Sequence, residues 1–117
     1  MRTTLLLVDD HAGFRARARV MLEAEGFDVV GEAADGRSGL AMAERLHPDV
    51  ALVDVQLPDI SGFEVAAGLR TSDSARRIIL ISGRDEAEYG ERAARSSADG
   101  FIAKADLSGD MVRAASG

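Results

Sequence analysis

The chain contains no cysteine, so it can build neither a disulfide framework nor a thiolate metal centre, and this composition suits a cytoplasmic protein. Long hydrophobic runs are missing as well. No stretch approaches the roughly 18 apolar residues of a membrane span, and the run Leu5 to Val8 is too short for a signal-peptide core, so neither export nor membrane insertion is expected. Positive charge is in deficit. A net charge of -6 and a pI near 4.8 argue against this segment holding nucleic acid directly, because phosphate contacts need a basic face. Arg15, Arg17 and Arg19 form a local basic patch, read here as the solvated face of a helix. No internal repeat or low-complexity tract is present, and neither a G-x-G-x-x-G nor a P-loop motif occurs.

What is present is the material of one ordinary globular domain: 117 residues, 46% hydrophobic and 29% charged. Its most telling stretch is Asp49 to Gly62, D-V-A-L-V-D-V-Q-L-P-D-I-S-G. Val50 to Val53 are too few for a stable helix, are partly β-branched and are closed off by Pro58 and Gly62, so they read as a strand covered on both faces that delivers Asp54 at its end. The rest of the chain alternates in the same way. Thr3 to Val8 reads as a first strand ending in Asp9 and Asp10, and Phe14, Ala18, Met21 and Leu22 fall on one stripe of a first helix closed by Gly26. Phe27 to Gly31 is a second strand, and Asp35 opens a helix through Leu40, Ala43 and Leu46 that stops before Pro48. Ser61 and Glu64 have the capping-box spacing for a third helix running to about Arg70. Ile78 to Ile81 is a fourth strand ending at Ser82 and Gly83, followed by a weak helix from Asp85 to Ser96 whose Gly90 costs about 1 kcal/mol relative to Ala. This helix is expected to be the most mobile. Gly100 to Ala103 is a fifth strand ending at Lys104, and Ser108 caps a short last helix carrying Met111, Val112 and Ala115. Strands and helices in strict alternation imply an α/β fold, a parallel sheet with helices on both faces.

In an open parallel sheet, ligands gather beyond the carboxyl ends of the strands. Those ends collect Asp9, Asp10, Asp54, Ser82 and Lys104. Three neighbouring carboxylates repel one another, and a hard divalent cation relieves that repulsion. Mg2+ is the natural candidate, since it takes one or two carboxylates, waters and a substrate phosphate, and the cluster has no Cys and no clustered His. His11 and His47 are not expected to form a metal site. A hydroxyl could then hydrogen-bond a phosphoryl oxygen and an ammonium could offset its charge.

On these residues the chain resembles the response-regulator receiver domains of two-component signalling, over essentially its whole length. The resemblance is carried by the pair Asp9-Asp10, by D-V-Q-L-P-D-I-S-G-F-E from Asp54 to Glu64, by I-L-I-S-G with Ser82, and by F-I-A-K ending at Lys104. It implies a flavodoxin-like doubly wound (βα)5 domain with a five-stranded parallel sheet of order 2-1-3-4-5, spanning residues 1–117 as a single domain. It implies that Asp54 accepts a phosphoryl group from a sensor histidine kinase or a phosphotransfer protein. Asp10 is then a direct Mg2+ ligand, Asp9 acts through water, Gln56 lends a backbone carbonyl, and Asp54 completes the metal set. Ser82 is the implied switch hydroxyl, Phe101 the aromatic that follows it, Lys104 the phosphate-pairing cation, and Gly83 the small residue that leaves the site open. Gln56 and Arg84 are the implied tuning positions for dephosphorylation. The responding face is implied to be the fourth helix, fifth strand and fifth helix, with homodimerisation on phosphorylation as one outcome.

The family often has Pro after this Lys, frequently with a cis bond. Here Ala105 follows, and a trans peptide is expected, since a cis bond without Pro costs about 2.5–4 kcal/mol. The segment K-A-D-L-S looks like that of regulators with a C-terminal helix-turn-helix output, and the short last helix with its A-A-S-G ending suggests a receiver excised from such a regulator. Three alternatives compete. A Mg2+-dependent phosphohydrolase of the haloacid-dehalogenase type would want D-x-D-G-[TS] after the first strand, which Asp9-Asp10-His11 does not supply. A flavin or nucleotide module would want a phosphate-binding loop. A degenerate receiver acting by protein contacts alone would not need the site residues that are present.

Overall fold

The computed structural model describes residues 2–73, 75–83 and 86–116. In chain order the elements are β1 (Thr4–Val8), α1 (Ala12–Ala24), β2 (Asp28–Ala33), α2 (Gly36–Leu46), β3 (Val50–Asp54), α3 (Gly62–Ser72), β4 (Arg77–Ser82), α4 (Glu86–Arg95), β5 (Gly100–Ala103) and α5 (Gly109–Ser116), with a 3-10 turn at Lys104–Asp106. The five strands form one sheet in the order β2-β1-β3-β4-β5, every neighbouring pair parallel.

The apolar runs are buried on both sides because their alternate residues feed two separate cores. Leu6 and Val8 of β1, Ala51 and Val53 of β3 and Ile78 and Leu80 of β4 pack with Ala43 of α2, Val65, Ala66 and Leu69 of α3 and Tyr89 and Ala93 of α4. Leu5, Leu7, Leu52, Ile79, Ile81 and Ile102 pack instead with Ala18 and Leu22 of α1 and Val112 of α5. Truncating one of these wholly buried side chains, such as Leu52 to Ala, would cost about 2–5 kcal/mol.

The ends of the elements follow local chemistry. Gly26 has φ +100, a left-handed conformation that suits glycine, and it ends α1 as expected. Asp35 accepts from the Ser38 N–H at 2.7 Å, and Ser61 accepts from the Glu64 N–H at 3.2 Å, so both expected caps form. The reciprocal half of the capping box is different: the Glu64 carboxylate meets the Ser61 hydroxyl, at 3.5 Å, rather than its N–H.

Some expectations shift. β2 runs on to Ala33, past the Gly31 at which a stop was expected, because Gly31 serves packing: a Cβ there would lie 2.9 Å from Leu46 Cδ1 and 3.2 Å from Leu6 Cδ1. α3 continues to Ser72. Met111 does not join the core and is 42% exposed, while Val112 is wholly buried. The expected start of the fourth helix at Asp85 lies outside the described residues, which enter that helix at Glu86. No cis peptide occurs among the described residues, in line with the trans bond expected at Ala105. Arg15 and Arg19 are not simply solvated: both pair with Glu32 of β2, at 3.2 and 2.8 Å.

Candidate functional site at the carboxyl end of the sheet

β1 and β3 are neighbours whose ladder ends at Val8 opposite Val53, so Asp9 and Asp54 emerge side by side. Asp54 is the last residue of β3 and only 4% exposed, and Asp9 is wholly buried. β4 and β5 end together, with Ser82 opposite Ala103, which brings the next residue, Lys104, back across the sheet end. Its Nζ lies 2.6 Å from Asp9 Oδ2 and 3.0 Å from Asp54 Oδ2. Asp54 Oδ1 accepts from the Gln56 N–H at 3.1 Å, and Asp9 Oδ1 accepts from the His11 N–H at 2.8 Å.

These groups border a cleft of about 250 Å³ lined by Asp10, His11, Asp54, Gln56, Ser82 and Gly83 together with Leu57, Pro58 and Lys104. Asp10 is the exposed acid of the group, with a side chain 39% accessible. Ser82 is 2% exposed. Gly83 faces open space, since a Cβ built on it meets nothing within 4 Å. Protein packing therefore does not demand a glycine there. Phe101 is half-buried on the α4 side of the sheet, opposite Leu80 in the ladder. Arg84 lies outside the described residues.

The electrostatics are those of an acid cluster with an incomplete counter-charge. Burial pushes the Asp54 carboxyl above its ordinary value, and Asp9 adds to this, while the Lys104 ammonium and the Gln56 N–H pull it down without prevailing. Burial acts to lower the Lys104 ammonium, but the carboxylates of Asp9 and Asp54 overcome it and hold the group above its ordinary value. Asp9 Oδ2 is buried and faces the Lys104 ammonium at 2.6 Å. One ligand atom from each of Asp9, Asp10, His11 and Asp54 falls within 4.8 Å of the others. Three carboxylates against one ammonium, with their ligand atoms converging within 4.8 Å, fit a hard divalent cation.

His11 also stands beside these acids. Its Nδ1 stands 3.3 Å from Asp9 Oδ1 and 3.1 Å from Asp10 Oδ1, placed there by the turn that Asp9 makes with the His11 N–H. His47 is elsewhere, in a left-handed conformation at the end of α2, bordering a separate pocket with Glu44, Ser72 and Arg76.

Two contacts are not legible from sequence patterns. Gln56 Nε2 donates to Tyr89 Oη at 3.0 Å, linking the loop after β3 to α4. Asp59, in the same loop, accepts from the Gly36 and Arg37 N–H groups at 2.8 and 2.9 Å, completing the α2 cap begun by Asp35. The backbone donors of Arg37, Gly36 and Ile60 outweigh desolvation and hold the Asp59 carboxyl down to about 2. The only sequence signal for the first contact is a lone aromatic on an alanine-rich helix.

Comparison with known proteins agrees with this geometry. A two-component response regulator of the LuxR family from Aurantimonas sp. SI85-9A1 superposes with a TM-score of 0.87 at 29% identity, over 97% of this chain and 82% of that one. A CheY-like response regulator receiver domain protein from Methanospirillum hungatei JF-1 gives 0.85 at 26% identity, over 97% and 90%. Among curated proteins, the nitrate/nitrite response regulator NarL of Escherichia coli K12 is 34% identical over 112 residues, 95% of this chain and 52% of NarL. The DNA-binding transcriptional activator EvgA of the same strain is 28% identical over 109 residues, 93% of this chain and 53% of EvgA. The chain thus spans about half the length of these curated relatives. With residues 5–115 matched by the sequence model of the response regulator receiver domain, the chain belongs to that family.

Proposed function

We propose that Asp54 is a phosphoacceptor, taking a phosphoryl group from a phosphohistidine of a sensor histidine kinase or phosphotransfer protein. The observation that carries this is a carboxylate 4% exposed at a strand end, 3.0 Å from an ammonium and bordering an open cleft. Transfer forms a bond between Asp54 and phosphorus and breaks the phosphorus–nitrogen bond, whose electron pair returns to the donor imidazole. Such chemistry asks the protein for in-line positioning and for neutralisation of spread charge rather than for further covalent help.

Mg2+ would be held by Asp10 directly, by Asp9 through water, by Asp54 and by the Gln56 carbonyl. When bound it neutralises charge on the transferring phosphoryl oxygens. Lys104, already poised between Asp9 and Asp54, pairs with the phosphate, and Ser82 at the same sheet end hydrogen-bonds it. Gly83 leaves room for the incoming group. Gln56 and Arg84 tune hydrolysis. The added charge of about -2 draws Lys104 and Ser82 toward position 54, Phe101 follows, and the face formed by α4, β5 and α5 changes. In a longer regulator of the relatives' kind, that face would control a DNA-binding output, alone or through homodimerisation, in a cytoplasmic protein.

The test is incubation with Mg2+ and a small phosphodonor. One hydroxylamine-labile phosphoryl group is expected on the native protein and none on Asp54→Ala. Equal labelling of both would overturn the assignment.

A further inference from the structure

Gln56 stands in the wall between two clefts. It lines the one containing Asp54 and also a larger one of about 480 Å³ between the β3–α3 loop, α3 and α4, which Tyr89 lines as well. Tyr89 is not part of the Asp54 cleft lining. The Gln56 backbone is fixed beside the nucleophile by its N–H bond to Asp54 Oδ1, so only its side chain can choose between the clefts. That choice is made by the 3.0 Å bond from Nε2 to Tyr89 Oη, which draws the amide toward α4.

Tyr89 is a firm anchor for such a bond. The residue is 9% exposed, in the core with Ala93, and its ring lies 6.3 Å from that of Phe63 between centroids, tilted by 51°. The Arg92 guanidinium in turn covers Phe63, 4.2 Å from its centroid. The Tyr89 ring is thus packed between α4 and α3.

We infer that Tyr89 is a positioning residue for Gln56 and lengthens the life of phosphorylated Asp54 by keeping the Gln56 amide out of the phosphoryl cleft. This rests on the phosphoacceptor reading of Asp54. Hydrolysis requires a water to attack phosphorus in line. Its oxygen bonds to phosphorus, the bond to Asp54 breaks with the electron pair returning to the carboxylate, and the water proton passes to the departing phosphate. A free glutamine amide at the rim of that cleft is suited to orient such a water. Because Tyr89 rides on α4, the same bond makes the lifetime sensitive to where α4 sits.

The test is a double-mutant cycle on the full chain, phosphorylated with Mg2+ and a small phosphodonor, with Asp54-phosphate decay followed after donor removal. Tyr89→Phe keeps the ring and removes the hydroxyl. It is expected to shorten the lifetime by about two- to tenfold, the range set by one neutral hydrogen bond. In a Gln56→Leu background, which retains the backbone carbonyl, the same substitution is expected to change nothing. An unchanged lifetime in Tyr89→Phe, or an equal change with Leu at position 56, overturns the inference while leaving the phosphoacceptor reading intact. Failure of the native protein to label at Asp54 overturns both. A readout independent of phosphorylation is the Gln56 side-chain amide in a ¹H–¹⁵N spectrum of the resting protein. Its resonances should move in Tyr89→Phe, and unmoved resonances would contradict the contact.

Discussion

Lys104 faces two buried carboxylates, Asp9 at 2.6 Å and Asp54 at 3.0 Å, and its loss would leave both without their cation. Breaking a buried ion pair from one side costs about 3–5 kcal/mol. Lys104→Met should fall near the lower end, about 3 kcal/mol, because the stranded acids can protonate; denaturant unfolding in metal-free buffer measures it. The acid side carries the opposite sign. Burial and Asp9 hold the Asp54 carboxyl above its ordinary value, so its charge is disfavoured in the folded state, and Asp54→Asn should melt at a higher temperature than the native protein when no divalent cation is present. Added Mg2+ should then raise the native midpoint more than that of the variant, since only binding to the folded state shifts the equilibrium. Asp9, Asp10, Asp54, Ser82 and Lys104 are all legible in the sequence for one physical reason: each stands where an apolar run gives way to polar residues, which is where a strand leaves a buried sheet. His11 is not legible as a cluster member, because its place depends on a two-residue turn closed by the buried Asp9 side chain.

At the scale of elements, α2 and α4 are held by residues from other segments. Asp59 of the β3–α3 loop caps the first two N–H groups of α2, with its carboxyl held near 2 instead of 3.8. A depressed carboxyl stabilises the fold above its unfolded value and stops doing so as pH falls through its folded value. The melting difference between native protein and Asp59→Asn should therefore be steady above about pH 4 and shrink toward pH 2. The far end of α4 is tied down by Arg70 of α3, which donates to the Ser97 carbonyl at 3.0 and 3.2 Å, to the Arg76 carbonyl at 2.7 Å and to Asp99 at 2.6 Å. Asp99 also accepts from the Ile78 N–H of β4. Arg70→Ala should cost about 1.5–3 kcal/mol, the range for hydrogen bonds to a charged group, and hydrogen exchange should quicken at Ser97 to Asp99. Strand and helix identities follow from periodicity alone, yet these ties do not. Gln56 and Tyr89 are 33 residues apart, and a pairing of that separation leaves no periodic trace. The early end expected for β2 at Gly31 has the same origin, since the Leu46 and Leu6 methyl groups packed against that glycine come from other elements.

For the whole molecule, the parallel order β2-β1-β3-β4-β5 is what converts scattered residues into a site. Acids from β1 and β3 meet because these strands are adjacent, and the hydroxyl and ammonium arrive from β4 and β5 beside them. A change at that site can reach α4 through the core that Tyr89, Phe101 and Leu80 share, while α5 meets the same face from the other core, where Val112 packs with Ile102 of β5. The proposed switch turns on phosphorylation at Asp54. The most direct measurement is reductive trapping of the phosphorylated protein with borohydride, which converts an aspartyl phosphate to homoserine, followed by peptide mass analysis. Homoserine at position 54 is the expected result. A phosphoryl group retained on His11, Ser82 or any other residue, with Asp54 recovered unchanged, would contradict the account.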